Sequence, residues 1–260
     1  DQQNGRYVAT GTATTKGQVT LSAYVDGTKV GNPVTVTVGA ITPELRFDNS
    51  DQLVTWTRNF TASQAVRGMP EGVEQMWSSS DTSVATVDVN GKVTLLKSGS
   101  ARISVYTPGN EQYNQAMASY NLGVSRADPG LKAGTGDPIT AIWADGKERN
   151  ITATYTNSDV QGGLKATYSA KSETVVKVDD SGKLTAVKPG ATTVTVSTPE
   201  TDQFLAASAD VAYVLNKATA DVSFDTSVVK TTDEDAFTLQ EPVTTLTSQA
   251  SIQWTSSNTN

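Results

Sequence analysis

The sequence predicts an all-β chain built as a tandem array of two-sheet antiparallel sandwiches. Three observations carry this expectation. The composition is that of strands and turns: 37% apolar, 18% charged and 7% aromatic residues, with 20 Gly, 9 Pro and abundant Thr, Ser and Val. The stretch Trp77–Ala127 returns without a gap as Tyr168–Ala218, so that Trp77 pairs with Tyr168, Gly91 with Gly182, Gly99 with Gly190, Pro108 with Pro199 and Tyr113 with Phe204, and 16 of 51 positions are identical. Within each copy, short apolar runs of period two are separated by turn dipeptides.

Taken in order, residues 1–38 hold three such runs: Arg6–Ala13, Gln18–Val25 and Pro33–Val38. Asp26-Gly27 and Gly31-Asn32 read as the turns between them. Three half-buried strands do not close a sandwich, so this segment is expected to be the last part of a module that starts earlier. Residues 39–127 form the first complete module. Leu45 and Phe47 open it, Arg58–Val66 alternates as a strand, and Asn90-Gly91 joins Ser83–Val89 to Lys92–Leu96 as a hairpin. After Gly99, residues Ala101, Ile103 and Val105 point inward; a polar loop, Thr107–Gln112, leads to a last strand through Tyr120, Leu122 and Val124.

Residues 128–217 repeat this pattern, the match reaching back to Arg149–Ala153 against Arg58–Ala62. Residues 218–260 begin a third copy, with Phe224, Phe237 and Trp254 each 177 positions beyond Phe47, Phe60 and Trp77. The junctions Gly123–Asp128 and Val214–Thr219 are short and lack the Gly/Ser run of a flexible tether. An elongated rod with little freedom between modules is the expected consequence.

Composition narrows the chemistry. The net charge of −7 argues against nucleic acid and against an anionic membrane as partners. There is no Cys and no His, which removes disulfides, thiolate nucleophiles, the usual serine-hydrolase base and the commonest metal ligands. No run approaches the roughly 18 apolar residues of a membrane helix. No carboxylate pair sits in a catalytic context and no Gly-rich phosphate loop is present, so no catalytic, cofactor or metal residues are assigned and a non-enzyme is expected. Asp48-Asn49-Ser50-Asp51, Asp179-Asp180-Ser181 and Asp233-Glu234-Asp235 offer oxygens to a cation, yet all fall where turns place such residues anyway.

Aromatic residues are the remaining candidates. Trp77, Tyr168 and Trp254 recur at one place in the repeat, as the core anchor of a sandwich does. Trp56 and Trp143 have no aromatic at the positions 91 away and stand as the candidate ligand-binding residues, with the alternative that each seals a module junction or covers a sandwich edge.

The pattern W-S-S-S-D-T-S-V-A-T-V-D-V-N-G-K-V-T followed by K-S-G-S-A-R-I-S-V resembles bacterial immunoglobulin-like domains of group 2, on Trp77, Asp81, Val84, Val87, Asp88, Gly91, Val93, Gly99, Ile103 and Val105. The second copy keeps Val175, Val178, Asp179, Gly182, Lys183, Gly190, Val194 and Val196, and departs in Tyr168 for the Trp. Asn4–Gly27 looks like the end of a group 1 domain. A group 1 domain followed by group 2 domains is similar to the rods of intimin- and invasin-like adhesins. That resemblance implies immunoglobulin-like sandwiches in a monomeric, non-catalytic extracellular stalk of a bacterial surface adhesin. It also implies an outer-membrane anchor outside this segment and a host-cell or surface protein or glycan as receptor at a distant tip. A spacer or accessory binding module in a secreted enzyme, surface-layer protein or phage fibre is the alternative.

Overall fold

The computed structural model describes residues 8–134, 138–162, 164–223, 243–244 and 253–257. It is all-β; the described residues contain no helix. In chain order the strands are β1 (Gly17–Val25), β2 (Thr28–Val38), β3 (Asp51–Thr55), β4 (Met76–Ser79), β5 (Ala85–Val87), β6 (Val93–Leu95), β7 (Gly99–Thr107), β8 (Ala116–Ser125) and β9 (Leu131–Ala133). They continue as β10 (Ile139–Ile142), β11 (Arg149–Asn150), β12 (Ala153–Tyr155), β13 (Thr167–Ala170), β14 (Val176–Val178), β15 (Lys183–Ala186), β16 (Gly190–Thr198) and β17 (Ala207–Asn216), with the short pair β18 (Val222–Ser223) and β19 (Val243–Thr244). The chain groups into two compact units. The first comprises residues 1–131, 155–165 and 198–207; the second comprises 132–154, 166–197 and 208–260.

In the first unit a sheet of order β3-β8-β7-β4 faces the β5-β6 hairpin. Alternation along β7 buries Ala101, Ile103 and Val105, as the period-two pattern requires, and β8 answers with Tyr120, Leu122 and Val124. Val84, Ala85, Val93 and Leu95 close the same core from the opposite side. Burying a side chain of this size stabilises by about 1.5–3 kcal/mol, so the two sheets are held chiefly by these apolar layers. β3 pairs with β8 in parallel, Asp51 opposite Asn121 and Thr55 opposite Ser125, while the other pairs of this sheet are antiparallel.

The second unit repeats the plan. Its sheet has order β10-β17-β16-β13, again with a parallel first pair, and a smaller sheet β11-β15-β14. Val194 and Val196 of β16 and Val211, Tyr213 and Leu215 of β17 are buried, as are Ile151, Val176 and Leu184.

Four expectations are corrected. Residues 8–13, the described part of the first expected run, form no strand; the small residues Ala9, Thr10, Gly11, Thr12 and Ala13 offer little to bury. Gly31-Asn32 is no turn between strands but a bulge inside β2. Residues 31–33 stand opposite Ser22 alone, Gly31 has φ 69° and Pro33 sits where no N–H is required. The alternation of β1 and β2 is present, yet Leu21 and its partner Val34 are 57% and 60% exposed, because the described residues pack no sheet on that face. Arg58–Val66 forms no ladder in the first unit. Side chains stand in for ladder partners: Gln52 Nε2 donates to the Ala62 carbonyl (2.7 Å), and the Val93 N–H donates to Ser63 Oγ (2.8 Å). The equivalent stretch of the second copy, residues 149–157, does form β11 and β12. Phe224, Phe237 and the Asp233–Asp235 cluster lie outside the described residues.

Candidate functional site

The structural feature that recurs is a junction made by the loop after the first long strand of each hairpin. In the first copy, the Asn110 side-chain oxygen accepts from the N–H groups of Gln112 (2.8 Å) and Tyr113 (2.9 Å), and the Asn110 N–H donates to the Tyr113 carbonyl. In the second copy Thr201 does the same work: its hydroxyl accepts from Gln203 (3.3 Å) and Phe204 (2.9 Å), and its N–H donates to the Phe204 carbonyl. Asn and Thr are both suited to such local closure of a turn, which puts an aromatic residue at its tip.

Each closed loop ties back onto the chain that enters its own repeat. Ile41 N–H donates to Gln112 O (2.9 Å) and Asn114 N–H to Ile41 O (2.8 Å). Ala127 N–H donates to Gln203 O (2.8 Å) and Leu205 N–H to Ala127 O (2.9 Å), in the same register. A third bond also repeats, from Lys16 N–H to Glu111 O and from Ser98 N–H to Asp202 O. In both cases the glycine after that donor, Gly17 (φ 149°) or Gly99 (φ 146°), opens the first strand of the preceding hairpin. All of these residues belong to the first unit. The β1–β2 hairpin therefore meets loop 107–114 as the β7–β8 hairpin meets loop 198–205.

Side chains seal the second of these junctions. Phe204 meets Trp56 edge-to-face, ring centroids 5.3 Å apart at 72°, and the two rings are 5% and 6% exposed. Val160 and Leu164 pack against the same core. Asp159 accepts from Thr57 Oγ1 (2.7 Å) and from the Arg58 N–H (3.2 Å), while Arg58 reaches the Asp159 carbonyl. Arg126 donates to the Thr201 carbonyl (2.8 Å) and pairs with Glu200 (3.2 Å). Trp56 is thus corrected as a ligand-binding candidate: a buried ring presents no face to an external ligand. Its Nε1 is buried with no hydrogen-bond partner among the described residues, a cost of about 1–3 kcal/mol that the packing offsets.

Trp143 occupies the same place in the second unit. Trp56 N–H donates to Ser125 O (2.8 Å) at the end of β3, and Trp143 N–H donates to Asn216 O (2.9 Å) at the end of β10. Ser125 and Asn216 are 91 apart, whereas the two tryptophans are 87 apart. The second copy has four more residues between its tryptophan and Arg149, which is why a fixed spacing hides the equivalence. Those residues form a turn with positive φ at Ala144 (58°) and Gly146 (67°). The Arg149 guanidinium closes it with two bonds to the Asp145 carboxylate, which also accepts from the Lys147 N–H. These bonds hold the Asp145 carboxyl well below the usual carboxylate range, the Arg149 bond being the main cause. A small pocket of about 130 Å³ lies beside the turn, lined by Arg149, Leu184 and Tyr213 among others. Trp143 itself is half-buried.

The other candidates have structural roles. Trp77 is half-buried against the core, 5.9 Å from the Phe47 ring, and lies over Gly91, where an added Cβ would fall 2.6 Å from the indole. Tyr168 lies over Gly182 in the same way. Gly91 and Gly182 have φ of 81° and 83°, so each is required twice, by backbone conformation and by what stands against it: the Trp77 ring at Gly91, and the Ile151 carbonyl at Gly182. Trp254 is 52% exposed. The acidic turns bind their own neighbourhood: Asp48 pairs with Arg67 (3.0 Å), Asp51 accepts from Asn121 and Ser50, and Asp179 accepts from Ser181 and the Lys183 N–H. Among the described residues no group of three or more acidic side chains is placed to hold a metal.

Residues 72–108 match the family described as the intimin, immunoglobulin-like domain. That match covers the Trp77–Val105 pattern and Gly91. An uncharacterized protein of Clostridium acetobutylicum is 31% identical over 173 residues, covering 61% of this chain. The chain spans only 16% of that relative's length. Among solved structures, domains 4 and 5 of the S-layer protein SbsC align over 66% of this chain and 96% of theirs at 14% identity, with a TM-score of 0.33. Drosophila N-cadherin EC1-3 aligns over 67% of this chain and 68% of its own at 12% identity, with a TM-score of 0.29.

Proposed function

We propose that this segment is a non-catalytic stalk from the extracellular part of a bacterial surface adhesin. Its modules follow the bounds 1–38, 39–127, 128–217 and 218–260. The observation that carries the reading is the junction repeated in one register, Ile41 with loop 107–114 and Ala127 with loop 198–205. Three backbone bonds at each junction leave an entering strand little freedom to swing. An aromatic pair removed from water at the second junction adds to that stiffness. The intimin-type match at residues 72–108 supports the cell-surface setting. Mechanically, each sandwich is a stable block and each junction limits bending, so a monomeric rod carries a binding tip away from the cell. The anchor, in the outer membrane, and the tip, which takes a protein or glycan receptor, lie outside residues 1–260.

Two measurements test this. Small-angle scattering of residues 1–260 is expected to give an extended, rod-like distance distribution; a compact one contradicts the stalk. Antibody to the segment is expected to label intact cells; labelling only after lysis contradicts the surface assignment.

A further inference from the structure

The first unit shows what covers a tryptophan at the end of a module's first parallel strand: the loop of the next repeat, with Phe204 over Trp56 and Ala127 bridged to both sides of Phe204. The second unit carries the same platform. Trp143 stands at the end of β10 with its N–H on Asn216, and Ala218 follows Asn216 at the interval by which Ala127 follows Ser125. Here, however, Trp143 is only half-buried, and Ala218 is exposed and takes part in no bridge among the described residues.

We propose that Trp143 and Ala218 form a docking platform for the loop of a following repeat, whose tip aromatic closes over Trp143 as Phe204 closes over Trp56. The inference rests on the stalk reading and assigns its next joint. Two further facts on this chain select that occupant, and a third sets how firmly the joint holds. The repeat pattern resumes after Ala218, with Trp254 where Trp77 and Tyr168 stand, and in both copies the tip aromatic comes 36 residues after that position. The charge pattern also fits. The second copy carries Asp159 nine residues before Tyr168, and Asp159 caps Thr57 and Arg58 of the first copy. The third carries Thr245 nine residues before Trp254 in the sequence, and the platform at Trp143 has no need of an acid, because Arg149 is already held by Asp145. Finally, two substitutions make this joint weaker than the first. Pro189 stands where Ser98 donates to Asp202, and it has no N–H to give; Lys217 stands where Arg126 reaches Thr201 and Glu200.

The test compares two chains in which Trp143 is the sole tryptophan, the others being replaced by Phe. One is residues 1–260. The other is residues 1–218 followed by a second copy of residues 128–217. In the first chain acrylamide is expected to quench Trp143 more strongly than it quenches Trp56 in a chain where Trp56 is the sole tryptophan. In the extended chain the quenching of Trp143 is expected to drop to the Trp56 level, and Phe204→Ala in the added copy is expected to restore it. Unchanged quenching in the extended chain, or a drop that survives Phe204→Ala, overturns the platform. An added copy that fails to fold behind residue 218, and still fails in the Pro189→Ser and Lys217→Arg variant, also overturns it, since the same sequence folds behind Ala127. Scattering separates the two readings. A chain that lengthens by one module with Trp143 still exposed defeats the platform and leaves the stalk standing, whereas compact scattering defeats the stalk.

Discussion

Trp56 and Trp143 end equivalent strands, donate equivalent backbone bonds and are followed by the same repeat pattern, yet one is buried and the other half-exposed. The difference lies in what reaches back to them. Phe204, Val160 and Leu164 cover Trp56 from 104 and more positions further along the chain, whereas nothing equivalent is described over Trp143. At a repeated position, burial is therefore decided by the neighbouring repeat as much as by the repeat that owns the residue. The stability of such a chain is then a sum of module cores and nearest-neighbour joints.

The largest break in this comparison is expected from Phe204→Ala. It removes a ring that is 5% exposed from a joint whose other half cannot close in on the gap, and a loss of about 3–5 kcal/mol is expected by denaturant unfolding of the first unit. Tyr113→Ala, at the half-buried equivalent position, is expected to cost well under half of that. Equal losses would show that the two joints are alike and that the Trp56 pair adds nothing.

Gly91→Ala and Gly182→Ala sharpen a different likeness. Both positions have φ near 80°, and an added Cβ meets the Trp77 ring at 2.6 Å in one and the Ile151 carbonyl at 2.0 Å in the other. A loss of about 1–3 kcal/mol is expected from each, with Gly182→Ala the larger because a backbone carbonyl gives way less than a ring edge. Asp159→Ala is expected to cost about 1–3 kcal/mol by leaving Thr57 and the Arg58 N–H without their acceptor, and Asp145→Ala to leave the first unit unchanged. Thermal melts that resolve the two units check both.

The smallest effect is on pH. Asp48, Asp51, Asp145 and Asp179 are all held below the usual range by hydrogen bonds from Arg67, Asn121, Arg149 and Ser181 respectively. The unfolded chain therefore binds protons more readily than the folded one. The stabilisation is complete above the ordinary Asp value of about 3.9 and is lost as pH falls below it. Melting temperature is expected to be flat from neutral pH to about 5 and to decline below about 4. Asp145→Asn is expected to soften that decline in the second unit more than Asp48→Asn does in the first, because the Asp145–Arg149 pair is less exposed than the Asp48–Arg67 pair.

Much of this architecture is legible in the residues themselves. The 91-residue spacing, the inward set Ala101, Ile103 and Val105, and the Asn90-Gly91 hairpin are local signals, and local signals survive into the fold. What escapes is non-local. The equivalence of Trp56 and Trp143 is hidden by four inserted residues that only the pairing of β10 with β17 exposes. Gly31 reads as a turn because a bulge and a turn both ask for positive φ. Arg58–Val66 alternates like a strand, yet the side chains of Gln52, Ser63 and Gln64 take its bonds. The Phe204 tip carries no motif of its own; its signal is that the aromatic of Tyr113 recurs at the same distance from Gly99 and Gly190 in a loop otherwise polar.

The most direct measurement is a double-mutant cycle on Trp56→Leu and Phe204→Leu, read by denaturant unfolding. The interlocked joint predicts a favourable coupling of about 0.5–1.5 kcal/mol between two residues that belong to different copies of the repeat. Strict additivity of the two losses would contradict it, and would leave the copies as independent blocks.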